Sequence, residues 1–274
     1  MELKVKKTIA EELRYLEKLE NGNGEMVNSA PLVKDENDNI TGIEVTVKGD
    51  HGEYFGKVES SGLVGDVTEN KTLEQIAKEL NINCYAAKVN NRLRELTFYL
   101  NFDCEVEFLD LSNTEAVRIY QSTLRYIICM ALKRIDSKAE LVFSDYISRS
   151  FIGLINNTKS FFNKKYLEEL KQEIDLIIEN NYPIIRHKDE KEDVLELYKN
   201  EGYIDKYNVL QYREDDFVNY YSCDGYIDYM YGYMLPSTGY INDYLIKLHH
   251  PGFIVQYPRA EFNGKIPEFK DDPS

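Results

Sequence analysis

Between Ile43 and Leu109 the residues spell out strand, strand, helix, strand, strand, and this order limits the fold more narrowly than any other feature. Ile43, Val45 and Val47 alternate with Glu44, Thr46 and Lys48, the period of a half-buried strand. Gly49-Asp50-His51-Gly52 is turn chemistry, and Tyr54 to Glu59 reads as the return strand. Ser60 to Asn70 reads as a loop. Thr72-Leu-Glu-Gln75 has the spacing of a capping box, in which two side chains satisfy the first free helical amides, and it opens a helix through Leu80. Cys84 to Val89 and Glu105 to Leu109 supply two more strands. A helix and four strands in about 70 residues predict a compact α+β domain.

The flanks are read from the same signals. Ile9, Leu13, Leu16 and Leu19 would share one side of a short helix over 7–20, and the Asn-, Gly- and acid-rich stretch from Glu20 to Asn39 reads as a flexible linker. Downstream, Ser112-x-x-Glu115 is a second capping-box pattern, opening a helix to about Ile135. Leu141 to Ile155 reads as two strands and Tyr166 to Asn180 as a helix with Leu167, Leu170, Ile174, Ile177 and Ile178 inward. Asp193 to Asn200 reads as a further helix, with Gly202 as its C-terminal cap, and Tyr-rich strands follow. Residues 259–274, polar and proline-bearing, read as a tether. The expected organisation is an N-terminal segment (1–42), one α+β domain (43–110), a second (111–258) and a tail (259–274).

Charge and cysteine usage narrow the function classes. Forty-eight acidic against 33 basic residues give a net charge of −15, a field that repels phosphate backbones over most of the surface. No run of about 18 apolar residues occurs, so no membrane span is expected. Met1-Glu-Leu-Lys-Val-Lys-Lys7 lacks the apolar region of a secretion signal, and Cys84, Cys104, Cys129 and Cys223 show no Cys-x-x-Cys spacing. Reduced thiols and a cytoplasmic location are therefore expected.

Motif chemistry is sparse. Gly52-Glu-Tyr-Phe-Gly56-Lys57 is one residue short of a phosphate-binding loop, lacks its hydroxyl and falls on an expected strand, so it reads as hairpin. His51, His187, His249 and His250 include no pair at metal-ligand helical spacing, and no metal site is expected. Cys129 falls amid apolar helix positions and reads as a small core residue. Asp215-Asp216, adjacent on a strand, would point to opposite faces. Lys88, Arg92 and Arg94 form the best local basic patch, around an Asn90-Asn91 hairpin turn, and are the expected contacts for a phosphate or RNA ligand. No catalytic set emerges.

The segment Ile43–Leu109, with its capped helix and the run Cys84-Tyr-Ala-Ala-Lys-Val-Asn-Asn-Arg-Leu-Arg-Glu-Leu96, resembles a TGS domain, a small β-grasp module. From Leu111 to Pro258 the chain resembles the second additional domain of threonyl- and alanyl-tRNA synthetases, their editing domain. Anchored on Ala131-Leu-Lys-Arg-Ile135 and Leu235-Pro-Ser-Thr-Gly239, the resemblance puts Ser122 and Tyr126 where that family has a His pair, and Met230 and Met234 where it has Cys and His. It implies a former editing pocket without metal ligands. The stretches 84–96, Phe108-Leu-Asp-Leu-Ser-Asn-Thr114, Tyr231-Gly-Tyr-Met-Leu-Pro-Ser-Thr-Gly-Tyr240 and Pro251-Gly-Phe-Ile254 also resemble the N-terminal half of a uridine or nucleoside kinase of the phosphoribulokinase type. That resemblance implies a noncatalytic regulatory or substrate-sensing region. Its partner would be a C-terminal kinase domain, which alone would use ATP and Mg, and its own ligand a nucleotide or tRNA. A divergent aminoacyl-tRNA editing hydrolase, or a tRNA- or nucleotide-binding module, is the alternative.

Overall fold

The computed structural model describes the main chain of residues 2–5, 32–34, 40–49, 52–59, 71–100 and 104–270, with side chains from 71 to 270 except 101–103, 145–147 and 205. The helix expected over 7–20 and the loop over 60–70 lie outside the described residues. The chain divides into two units, Met1–Ala116 and Val117–Ser274.

In the first unit, β1 (Glu2–Val5), β2 (Leu32–Lys34), β3 (Ile40–Gly49), β4 (Gly52–Glu59), β6 (Ala86–Val89), β7 (Arg92–Arg94) and β9 (Cys104–Leu109) form one sheet, with β5 (Lys71–Thr72) and β8 (Tyr99–Leu100) paired beside it. The order is β2-β3-β1-β9-β6-β7, with β4 also on β3. Two of these strands, β1 and β2, arise in the segment read as helix and linker. β1 is central, pairing β3 on one side and β9 on the other. Four residues give too short a pattern for periodicity to register.

The expected hairpin stands: β3 pairs β4 antiparallel from Gly42↔Glu59 to Gly49↔Gly52, so Lys57 is on a strand, outside any strand-to-helix loop. Helix α1 (Leu73–Glu79) starts with the expected capping box. Gln75 N donates to Thr72 Oγ1 (3.2 Å), and Thr72 N donates to Gln75 Oε1 (2.8 Å). Leu73 and Ala77 are its buried residues.

The second unit is built on α2 (Thr114–Ile135), whose first turn belongs to the first unit. Its cap is shifted from the expected Ser112. Asp110 Oδ1 takes both the amide and the hydroxyl of Ser112 (2.8 and 2.5 Å), and Asn113 Oδ1 accepts from Glu115 N instead (2.8 Å). Strands β10 (Glu140–Ile147) and β11 (Ser150–Asn156) pair with β16 (Gly252–Gln256) and β15 (Leu245–His249) in the order β10-β11-β16-β15. Helix α3 (Lys164–Glu179) buries Leu167, Leu170, Ile174 and Ile177 as its pattern predicts, while Ile178, also expected inward, is half-buried. Between β12 (Ile185–Glu190) and β13 (Phe217–Cys223) lie α4 (Lys191–Asn200) and α5 (Ile204–Leu210); β14 (Tyr226–Asp228) completes a three-stranded sheet. Gly202, with φ +77°, follows α4 as predicted. Helix α5 is seven residues long and carries no side-chain cap, so no local signal marks it.

Among the described residues every strand pairing is antiparallel, and helices accompany these sheets, so the class is α+β. Residues 259–270, expected as a tether, dock on the second unit. The buried Gln256 side chain donates to Pro267 O (2.9 Å), and Lys270 N donates to Ser148 Oγ (2.9 Å). Composition pointed to a tether because the segment has few apolar residues; main-chain groups hold it instead. Among the described residues no helix is long and apolar enough to cross a membrane.

Candidate functional site

The site follows from the apolar face of α2. Val117, Tyr120, Leu124, Ile127, Ile128 and Ala131 are all buried, which turns Thr123 and Tyr126 inward beside them. Tyr126 is fully buried, and its hydroxyl faces the β13–β14 hairpin, 3.0 Å from Tyr226 O and 3.3 Å from Tyr221 O. Its ring meets that of Tyr226 edge-on at 5.1 Å. Tyr226 Oη in turn donates to Asp228 Oδ2 (2.7 Å), and Asp228 Oδ1 is paired with Lys206 Nζ on α5 (2.5 Å).

The chain leaving β14 returns across α2. Tyr221 Oη donates to Gly232 O (3.4 Å), and Ser122 Oγ lies 4.0 Å from where a side chain on Gly232 would begin. Thr123 Oγ1 donates to Ile119 O (2.9 Å) and accepts from Leu235 N (3.0 Å); Met234 Sδ is 3.9 Å from the same oxygen. Met234 is buried and Met230 half-buried. Ser122 thus faces the loop at Gly232 and Met234 reaches α2 through Thr123, whereas Tyr126, one turn on, meets the β13–β14 hairpin instead. A buried threonine amid an apolar helix face was the available signal for Thr123.

Beyond Leu235 the loop is clamped to the end of α3. Thr238 N donates to Tyr182 O, Tyr182 N to Thr238 Oγ1 (both 2.9 Å), and Thr238 Oγ1 to Ile177 O (2.7 Å). Ser237 Oγ and Gly239 N both reach Asn181 Oδ1 (2.5 and 3.1 Å). A side chain at Gly239 would begin 2.3 Å from that oxygen, so glycine is needed for the approach. Tyr120 Oη clips the next segment, donating to Asp243 O (2.7 Å) and accepting from Asp243 N (2.9 Å).

The chemistry of this region is neutral. Burial, with Cys223 and Asp228 nearby, holds the Tyr126 phenol well above its ordinary pKa; burial does the same to Tyr226. Burial and the charge of Asp228 push the Cys129 thiol up to about 12, and burial and Asp224 push Cys223 up to about 11. Neither thiol supplies a thiolate at neutral pH. Among the described residues no three His, Cys, Asp or Glu side chains converge as a metal would require. His187 is engaged elsewhere, stacked on Tyr220 (4.8 Å) and 2.7 Å from Ser222 Oγ.

The basic set is divided by register. Lys88 stands opposite Leu93, whereas Arg92 stands opposite Val89 and Arg94 opposite Ala87. Directly opposed residues share a face, so Lys88 projects from one side of the hairpin and the two arginines from the other. Asn90 and Asn91 make the expected turn, both with positive φ. Lys88 is held by Glu115 (3.2 Å) and Glu107 (3.7 Å), and Arg94 lies over the Phe98 ring (5.0 Å).

No family model matches the chain. Over 176 residues it is 30% identical to a threonine–tRNA ligase of Thermotoga petrophila, covering 63% of this chain and 27% of the relative. It is 28% identical over 176 residues to that of Symbiobacterium thermophilum, with the same coverage. To that of Streptococcus pyogenes serotype M3 it is 26% identical over 175 residues, 64% of this chain and 27% of the relative. The chain thus spans about a quarter of the length of the curated relatives it matches.

These relatives correct the expected kinase-type parent: they are threonine–tRNA ligases, so a regulatory region of a uridine kinase is not the reading they support. The stretches that suggested a kinase serve the fold. Asn90-Asn91 is a turn, Asn113 a helix cap, and Leu235–Gly239 the loop clamped to Asn181. Such features report an architecture and carry no phosphoryl-transfer chemistry.

Proposed function

We propose that the chain is an accessory module of the threonyl-tRNA synthetase type, whose second unit corresponds to an editing-like domain and engages the acceptor end of a tRNA. The observation that carries this is the similarity to threonine–tRNA ligases across 63% of the chain. One structural feature supports it: the Thr123–Met234 contact, which brings helix and loop together as an editing-like pocket would.

In this reading the pocket binds rather than hydrolyses. A phenol, a hydroxyl and two thioethers replace imidazole and thiolate, and thioether and neutral phenol neither hold zinc well nor activate water at neutral pH. The basic hairpin of the first unit would add phosphate contacts, chiefly through Arg92, which is exposed.

Filter binding of threonine tRNA and of an unrelated tRNA to the full chain tests the proposal. Saturable binding that weakens in added salt and falls with Arg92→Ala is expected. Binding too weak to saturate at low salt would refute the module reading. Release of serine from mischarged threonine tRNA at a rate proportional to protein would refute the noncatalytic part alone.

A further inference from the structure

A second site lies in the same unit, away from the packed Thr123–Met234 contact. Helix α5 and the end of α4 stand off the β13–β14 hairpin and leave a cavity of about 300 Å³, within the range of small-molecule sites. Its apolar lining includes Leu210, Val218 and Tyr229, and its charges come from Lys206, Arg213 and Asp228. Each cation has a carboxylate neighbour, Asp228 for Lys206 and Asp215 for Arg213, so the cavity can favour an anion only through the donor hydrogens these pairs leave over. Tyr198 also lines the cavity, and its buried hydroxyl has no hydrogen-bond partner among the described residues. Leaving such a hydroxyl unmatched costs about 1–3 kcal/mol.

Neither cation is used up by its neighbours. Asp228 takes one hydrogen of the Lys206 ammonium, which has three to give. Arg213 pairs with Asp215 (2.7 Å), whose side chain is 52% exposed, and an ion pair that open is worth at most about 1 kcal/mol. The guanidinium also lies over the Tyr229 ring (5.3 Å), which holds it at the cavity wall. Lys206 sits over the Tyr203 ring (4.4 Å), so it too is fixed before any ligand arrives.

We infer that this cavity is a binding site for a small organic anion, a carboxylate or phosphate on an aromatic or aliphatic body, held by Lys206 and Arg213 above the apolar lining. The site is independent of the tRNA reading: its residues are not those of the Thr123–Met234 contact. Asp228 links the two places, because its second oxygen receives Tyr226, whose carbonyl receives Tyr126.

The test is calorimetric titration of the full chain with 3-phenylpropionate, phenyl phosphate and the neutral 3-phenylpropanamide. Both anions should bind and compete with each other, and the amide should bind about tenfold more weakly, the worth of one charge-assisted hydrogen bond. The tighter anion assigns the headgroup. Arg213→Gln, at an exposed pair that does not hold the fold, should weaken both anions about tenfold and leave the amide unchanged. The inference is overturned if the amide binds as tightly as the anions, if Arg213→Gln leaves anion affinity unaltered, or if no probe saturates by about 10 mM. Loss of tRNA binding in the filter assay with retained anion binding would separate the failure of one proposal from the other.

Discussion

The Tyr126–Met234 region and the Lys206–Arg213 cavity share one unit and a bridging residue, Asp228, yet they solve burial in opposite ways. Around Tyr126 the polar atoms meet partners: its hydroxyl has two carbonyls, and Thr123 Oγ1 has a donor and an acceptor. At the cavity the buried hydroxyl of Tyr198 has no partner among the described residues, and Lys206 and Arg213 line the wall in ion pairs with Asp228 and Asp215. A satisfied cluster specifies the fold, whereas a cavity with spare donor hydrogens on its wall can receive a ligand. The contrast teaches that polar atoms beside Tyr126 and Met234 are matched within the fold, whereas a cavity with charged groups on its wall lies beside α5, a helix no motif announced.

The contrast can be broken most sharply at Tyr126. Tyr126→Ala should destabilise the chain by about 3–5 kcal/mol in urea unfolding, because a fully buried aromatic is removed and α2 cannot close the gap. A loss under about 1 kcal/mol would mean that the region is loosely filled and resembles the cavity after all.

Thr123→Val should cost about 1–3 kcal/mol at nearly constant volume, since Leu235 N would be left buried and unpaired. The same variant should raise hydrogen exchange at the Leu235 amide. Unchanged exchange there would show that the clamp at Asn181 alone holds the loop.

A pair of conservative variants compares the two regions directly. Tyr126→Phe should cost about 1 kcal/mol, the net worth of its hydrogen bonding, whereas Tyr198→Phe should be neutral or stabilising because no bond is lost. Equal costs at both positions would erase the distinction.

The smallest effect is confined to acid. Asp136 follows α2, and burial opposes its charge. Hydrogen bonds from Lys159 N (2.7 Å) and Tyr166 Oη (3.0 Å) outweigh that and lower its pKa. A carboxylate whose folded pKa lies below its unfolded value stabilises fully above the unfolded pKa, about 4, and this contribution is lost as pH falls through the depressed folded value. Stability measured from pH 6 downward should therefore fall less steeply below about pH 4 in Asp136→Asn than in the parent chain. An identical slope would remove Asp136 from the set of satisfied buried groups.

Local signals carried much of the architecture. Thr72 and Gln75 announce α1 because a capping box is a contact between residues three apart, and Gly202 announces the end of α4 for the same reason. Periodicity placed α2, α3 and the β10–β11 pair, since each is long enough for its apolar face to repeat. The cap of α2 lies one residue beyond Ser112 because Ser112 and Asn113 are both good caps, and only the nearby Asp110 decides between them.

What the sequence alone determined is therefore what neighbours within a few residues settle: helix caps, the Asn90-Asn91 turn, the β3–β4 hairpin, the α+β class. The tertiary structure decided the rest. It put β1 between β3 and β9, a pairing across about a hundred residues that four residues cannot encode. It split Lys88 from Arg92 and Arg94 by strand register, docked the proline-bearing tail, and set Lys206 on an unannounced helix against Asp228. Each of these depends on which distant groups meet, and a chain's local preferences are silent on that until the core has chosen a single packing.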